Sequence, residues 1–315
     1  MLSRNMLAGT DALGCYNSNL MDTVEPTPAQ NPSKAGIFAR RLGSAVLLWS
    51  TLLLGLFAPD PLLAKSAFML IMLVLAGLGL REFYDLSERG GFPGRPWQGT
   101  LGGMGLVTGV FLLLALPPEP MAEHVPLLQI CFLSFFVLTS GVRHIYLNDG
   151  QGRLGVTIMG VTYIAMLLNF LQLIRFEFDS WFLLFFLVVT KASDTGAYLL
   201  GSLIGHHKML PSVSPGKTWE GFAGAILLSV ATAIAFVHFG GERLDGMSVG
   251  HALMVGTVLG VGAVFGDLVE SKLKREAKVK DSGKFFPGIG GVLDLLDSLL
   301  FNAPMMYLYL KYGLQ

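Results

Sequence analysis

Charge is scarce in this chain: only 14% of its 315 residues are Asp, Glu, Lys or Arg, where ordinary soluble domains carry about 25%. With 52% hydrophobic residues and a mean hydropathy of +0.59, the composition excludes a conventional soluble globule and points to a membrane protein. Neither sign of charge is in excess, since Lys+Arg and Asp+Glu both number 22. Net charge therefore gives no basis for nucleic-acid binding. Cysteine is nearly absent as well: Cys15 and Cys131 stand far apart with no C-x-x-C spacing, which excludes a disulfide framework and a thiolate zinc site. The first forty residues have no continuous apolar core, so they do not read as a cleavable signal peptide. Residues 1–40, with the Pro-rich stretch TVEPTPAQNPSKAG, are expected to form a disordered cytoplasmic tail.

Apolar runs near the length of a bilayer span, about 20 residues, recur through the rest. They lie near residues 42–57, 66–80, 100–116, 125–141, 154–174, 181–204, 219–239, 251–269 and 291–310, with polar connections such as 81–98 and 148–153 between them. The expected fold is an all-α polytopic membrane protein of about nine transmembrane helices. Residues 41–175 would form N-terminal helices and 176–315 a C-terminal catalytic region. Lys and Arg gather in alternate connections, among them Lys34, Arg40 and Arg41, then Arg81, Arg89 and Arg95, and finally Lys272 to Lys284. By the positive-inside rule this puts the N-terminus in the cytoplasm. The two most polar connections, 205–218 and 271–290, share that side and can build one site.

Two stretches carry chemistry. The first, KASDTGAYLLGSLIGHHKMLPSVSPGKTWEG, places Asp194 inside an apolar span. A carboxylate at membrane depth costs at least about 2.5 kcal/mol to insert and usually faces a cavity; a packing role paired with Lys191 is the alternative. Ser214, Lys217 and Thr218 sit in a hydroxyl-rich loop suited to phosphate oxygens. The loop is not a Walker A motif, because Pro211 stands where that spacing needs glycine. Thr218 also fits an ordinary helix N-cap, and His206 and His207 read as interfacial residues rather than a metal pair. In the second stretch, Asp267, Glu270, Ser271 and Lys274 fall on one helical face, and Asp294 and Asp297 on another. Carboxylate and water oxygens suit Mg²⁺, and Asp267 with Asp294 is the expected ligand pair. The Lys and Arg between them fit the positive-inside signal too, but not the acidic residues that bracket them.

These residues resemble the phosphatidate cytidylyltransferase (CDP-diacylglycerol synthase) family, whose signature runs S-x-x-K-R-x-x-x-x-K-D, then P-x-H-G-G-x-x-D-R-x-D. Ser271, Lys274, Arg275, Lys280, Asp281, Pro287, Gly290, Gly291, Asp294 and Asp297 fall in register. Upstream, D-x-x-A-Y-x-x-G and S-P-x-K-T-x-E-G match Asp194 to Gly201 and Ser214 to Gly221, with Arg41 and Glu82 as weaker echoes. Two positions depart, Ile289 for the signature His and Leu295 for its Arg. The resemblance implies a transferase that moves a cytidylyl group from CTP to phosphatidic acid, with Mg²⁺ and room for a second cation. It implies catalytic Asp194, Lys274, Asp294 and Asp297, and substrate contacts from Ser214, Lys217, Thr218, Ser271, Arg275, Lys280 and Asp281. The setting would be the bilayer of a bacterial cytoplasmic membrane, the site facing the cytoplasm, with a homodimer among the assemblies open to it. An impaired or substrate-shifted member, a CTP-dependent lipid kinase and a secondary transporter are the rival readings; a transporter would need matching helix breaks in two halves.

Overall fold

A computed structural model describes residues 34–147, 151–283, 285 and 290–314. Helices α1 (Lys34–Phe57), α2 (Pro61–Arg89), α3 (Pro96–Ala115) and α4 (Val125–Leu147) come first. The next span combines α5 (Gln151–Gly160) and α6 (Leu167–Leu173) with π-helical turns at Val161–Met166 and Ile174–Phe178. Helices α7 (Ser180–Ile204), α8 (Trp219–Gly240), α9 (Val249–Glu276) and α10 (Val292–Tyr312) complete the bundle. Seven helical stretches are long and apolar enough to cross a bilayer, from Pro61–Arg89 to Val249–Glu276; α1 adds the shorter apolar stretch Val46–Phe57. With α10, the described residues hold nine helical units, and the protein is an all-α polytopic membrane protein.

Boundaries differ from the sequence expectation in three places. The expected tail lies outside the described residues up to position 33, while 34–40 already belong to α1. Helix α2 runs nine residues past the apolar stretch ending at Leu80, because adding a residue to an existing helix gains a hydrogen bond whatever its polarity. The connection 205–218 contains a hairpin, β1 (Lys208–Leu210) and β2 (Ser214–Thr218), antiparallel with Lys208 opposite Thr218. Pro215 is tolerated because two strands leave every outer edge free.

Helices cannot associate in lipid by hiding apolar surface from water, so close backbone approach matters more. A side chain at Gly196 of α7 would run into the Gly224 carbonyl of α8, and one at Gly266 of α9 into the Asp297 carbonyl of α10. These glycines draw α7, α8, α9 and α10 together at the end of the bundle where the acidic residues lie.

Candidate active site

Along α9, Glu270 is fully buried and pairs with the Lys274 ammonium one turn on. Lys274 also reaches across to α10, 2.8 Å from Asp294 Oδ1. The other oxygen of Asp294 accepts from Gly291 N at 2.7 Å and from the Ser282 hydroxyl at 2.9 Å. Asp294 is thus a structural hub at the start of α10. One turn further, buried Asp297 turns to α9. One carboxylate oxygen each from Asp267, Glu270 and Asp297 lies within 4.8 Å of the other two.

From α7, Asp194 lies 3.1 Å from the Lys191 ammonium, which donates to the Ser298 hydroxyl at 3.0 Å and stands 4.0 Å from Asp297. Lys191 therefore serves both helices, beyond the Asp194 pairing weighed from the sequence. The hairpin supplies Lys217, 2.9 Å from Asp267 Oδ2 and donating to the Val264 carbonyl. Thr218 caps α8, its hydroxyl accepting from Gly221 N at 3.1 Å. Glu220 anchors the turn before the hairpin by accepting from the His207 backbone N–H and contacting the His207 ring. Arg275 donates to the Val213 carbonyl, tying the two polar connections together.

An open cleft of about 510 Å³ lies among these elements. Asp194, Lys217, Thr218, Asp267, Ser271, Lys274, Arg275, Lys280, Asp281, Asp294 and Asp297 all line it. Ser214 does not; it starts β2, opposite Leu210. Tyr198, Phe222 and Val264 give the cleft an apolar side. Ser271 points at the carboxylates, donating to Asp267 at 3.3 Å. Ile289 falls outside the described residues, and Leu295 is half-buried beside Asp294.

A divalent cation fits this chemistry. Octahedral Mg²⁺ with bonds of about 2.1 Å needs ligand oxygens roughly 3 to 4 Å apart, and Asp267, Glu270 and Asp297 approach that spacing. The Lys274 ammonium is the donor on the buried Glu270 carboxylate, and Asp294 approaches it as well. Asp294, expected as a ligand beside Asp267, is engaged by Lys274, Ser282 and Gly291. Residues missed as site members from the sequence are Lys191, Glu270, Ser282 and Ser298. The helical register already placed Glu270 with Asp267, whereas the two serines carry no signal that separates them from other serines.

A sequence model of the cytidylyltransferase family matches residues 40–313. Phosphatidate cytidylyltransferase of Staphylococcus aureus (strain COL) is 32% identical over 270 residues, spanning 82% of this chain and 96% of that protein. The Staphylococcus epidermidis protein of the same name (strain ATCC 12228 / FDA PCI 1200) is 32% identical over 262 residues, 81% and 94% of the two chains. An uncharacterized Escherichia coli (strain K12) protein, YnbB, is 33% identical over 196 residues, 59% of this chain and 63% of its own. The match runs through the N-terminal helices as well as the cleft, and the chain belongs to the cytidylyltransferase family.

Proposed function

We propose that the protein transfers a cytidylyl group from CTP to phosphatidate, giving CDP-diacylglycerol and pyrophosphate for phospholipid synthesis. The observation that carries this reading is the cleft itself, where carboxylates and cations from α7, α9, α10, the hairpin and residues 280–281 converge. Nucleotide and lipid phosphates repel each other, so bringing them into contact requires positive charge beside metal-binding oxygens. The apolar side formed by Tyr198, Phe222 and Val264 suits a substrate with acyl chains. The Lys and Arg distribution supports a cytoplasmic opening and, with bacterial relatives, a place in the cytoplasmic membrane.

In this mechanism a non-bridging oxygen of the phosphatidate phosphate attacks the α-phosphorus of CTP. The new P–O bond forms as the bond from the α-phosphorus to the β-phosphate oxygen breaks, and pyrophosphate leaves with that electron pair. Asp267, Glu270 and Asp297 would hold Mg²⁺, which supplies charge neutralisation of the phosphates. Lys280 and Arg275 line the mouth of the cleft and are placed to bind phosphate oxygens. Lys217 and Lys274, paired with carboxylates here, can share their ammonium protons with an incoming phosphate. Lys191 offsets the charge of Asp194 and Asp297, which both line the cleft. The attacking oxygen is already anionic, so no protein base is required.

Purified protein given α-labelled CTP, phosphatidate and Mg²⁺ should place the label in CDP-diacylglycerol. Label accumulating in CDP would identify a lipid kinase, and ion-coupled solute flux without CTP turnover would identify a transporter.

A further inference from the structure

Helix α10 carries Asp294 and Asp297, yet its N-cap is Gly291, which has no side chain to satisfy the first backbone N–H groups. Those donors are met from elsewhere. Leu293 N donates to Glu82 Oε2 at 2.8 Å, and Asp294 N contacts the Ser282 hydroxyl at 3.3 Å. The Ser282 hydroxyl, which has one proton to share, lies 3.0 Å from the same Glu82 oxygen and 2.9 Å from Asp294 Oδ2. Glu82 lies on α2, in the part continuing beyond the apolar run, 211 residues before Leu293 in the chain. The fit depends on glycine: a side chain on Gly283 or Gly291 would occupy the space of the Glu82 carboxylate.

We infer that Glu82 is a positioning residue for the reaction, acting as a remote N-cap that fixes the first turn of α10 and hence the direction of Asp294 and Asp297. The N-terminal helices then contribute to the chemistry, not only to anchorage. The Leu293 N–H and the Ser282 hydroxyl meet at one Glu82 oxygen, so an acceptor at that point is what matters, and glutamine can supply it. Only the kinetic part of this inference rests on the cytidylyl-transfer reading.

The test compares Glu82→Ala with Glu82→Gln in the full-length protein, reading amide exchange and kinetics. Glu82→Ala should quicken exchange of amides 292–294 at least about tenfold while the second half of α10 is unchanged. It should lower kcat by about 10- to 100-fold, the usual effect of losing a group that orients metal-site residues, with KM for CTP within about threefold. Glu82→Gln should bring both readouts back to within about threefold of the parent protein. Unchanged exchange in Glu82→Ala, or a Gln variant as defective as Ala, overturns the proposal. A parent protein that does not turn over CTP defeats the reaction reading, while amide exchange still decides the role of Glu82. Should Glu82→Ala fail to fold, Ser282→Ala must itself quicken exchange at 292–294, and unchanged exchange there overturns the inference.

Discussion

The Lys274 ammonium stands 2.8 Å from Asp294 Oδ1 while pairing with Glu270 on its own helix, so one cation joins α9 to α10. Glu270 is wholly inaccessible and takes its charge-assisted contact from that ammonium, which makes it dependent on that cation. Lys274→Met should therefore destabilise the protein by about 3–5 kcal/mol, the usual cost of stranding one partner of a buried pair. Adding Glu270→Gln removes the stranded charge and should restore most of the unfolding temperature, but not turnover. Thermal unfolding in micelles checks this; a Lys274→Met variant melting with the parent protein would refute the pairing.

Asp297 and Asp294 should separate in a metal titration. Asp297→Asn removes a charged oxygen from the group with Asp267 and Glu270 and should raise the Mg²⁺ concentration for half-maximal turnover by about tenfold or more. Asp294→Asn should cut turnover with less change in that midpoint, since its oxygens serve Lys274, Ser282 and Gly291. Mn²⁺ binding followed by electron paramagnetic resonance gives the same comparison without turnover. A midpoint that moves for Asp294→Asn alone would return the ligand role to Asp294.

The sequence reveals those residues whose type conflicts with their surroundings. Asp194, Asp267 and Asp297 stand out because carboxylates are rare in apolar helices, and helical periodicity alone groups Asp267 with Glu270. Long-range partners are hidden. Glu82 is only a weak echo of the family pattern in a polar connection once the apolar run ends at Leu80, and only the continuation of α2 to Arg89 carries it toward α10. Lys191 reads as a local partner of Asp194 because spacing along one helix cannot show that Ser298 and Asp297 approach from another. The contacts of Asp294 are hidden for the same reason: its partners come from α9 and the 282 segment.

The two polar connections should report from one face of the membrane. Arg275 Nε lies 3.2 Å from the Val213 carbonyl, so they meet in space, and the alternation of Lys and Arg predicts that this face is the cytoplasmic one. In a background lacking Cys15 and Cys131, Ser212→Cys and Glu276→Cys should both react with an impermeant maleimide only after the cytoplasmic side is opened. Labelling of the two from opposite faces would contradict the fold itself, and labelling of both from outside would reverse the orientation.

Leu295 and Ile289 stand where the family signature has Arg and His, and the proposed mechanism gives a reason why an active enzyme can do without them. An Arg at 295 would lie one residue from Asp294, about 100° round the helix, placed to neutralise or orient rather than to form a bond. That charge is already supplied nearby: Lys274 serves Asp294 at 2.8 Å, and Lys191 stands 3.1 Å from Asp194 and 4.0 Å from Asp297. In the proposed mechanism the imidazole is dispensable, because an ionised phosphate needs no base. Ile289→His with Leu295→Arg should accordingly change kcat/KM by no more than about tenfold, or 1.4 kcal/mol. Lys191→Met should cost more than that, because it leaves Asp194 and Asp297 without their shared cation. Adding Leu295→Arg to Lys191→Met should then recover part of the loss, since the two cations would act on the same acidic cluster and their effects would not be additive. The opposite pattern, a parent protein with no CTP-dependent product and a double variant that makes it, would mean that the two departures silence the enzyme.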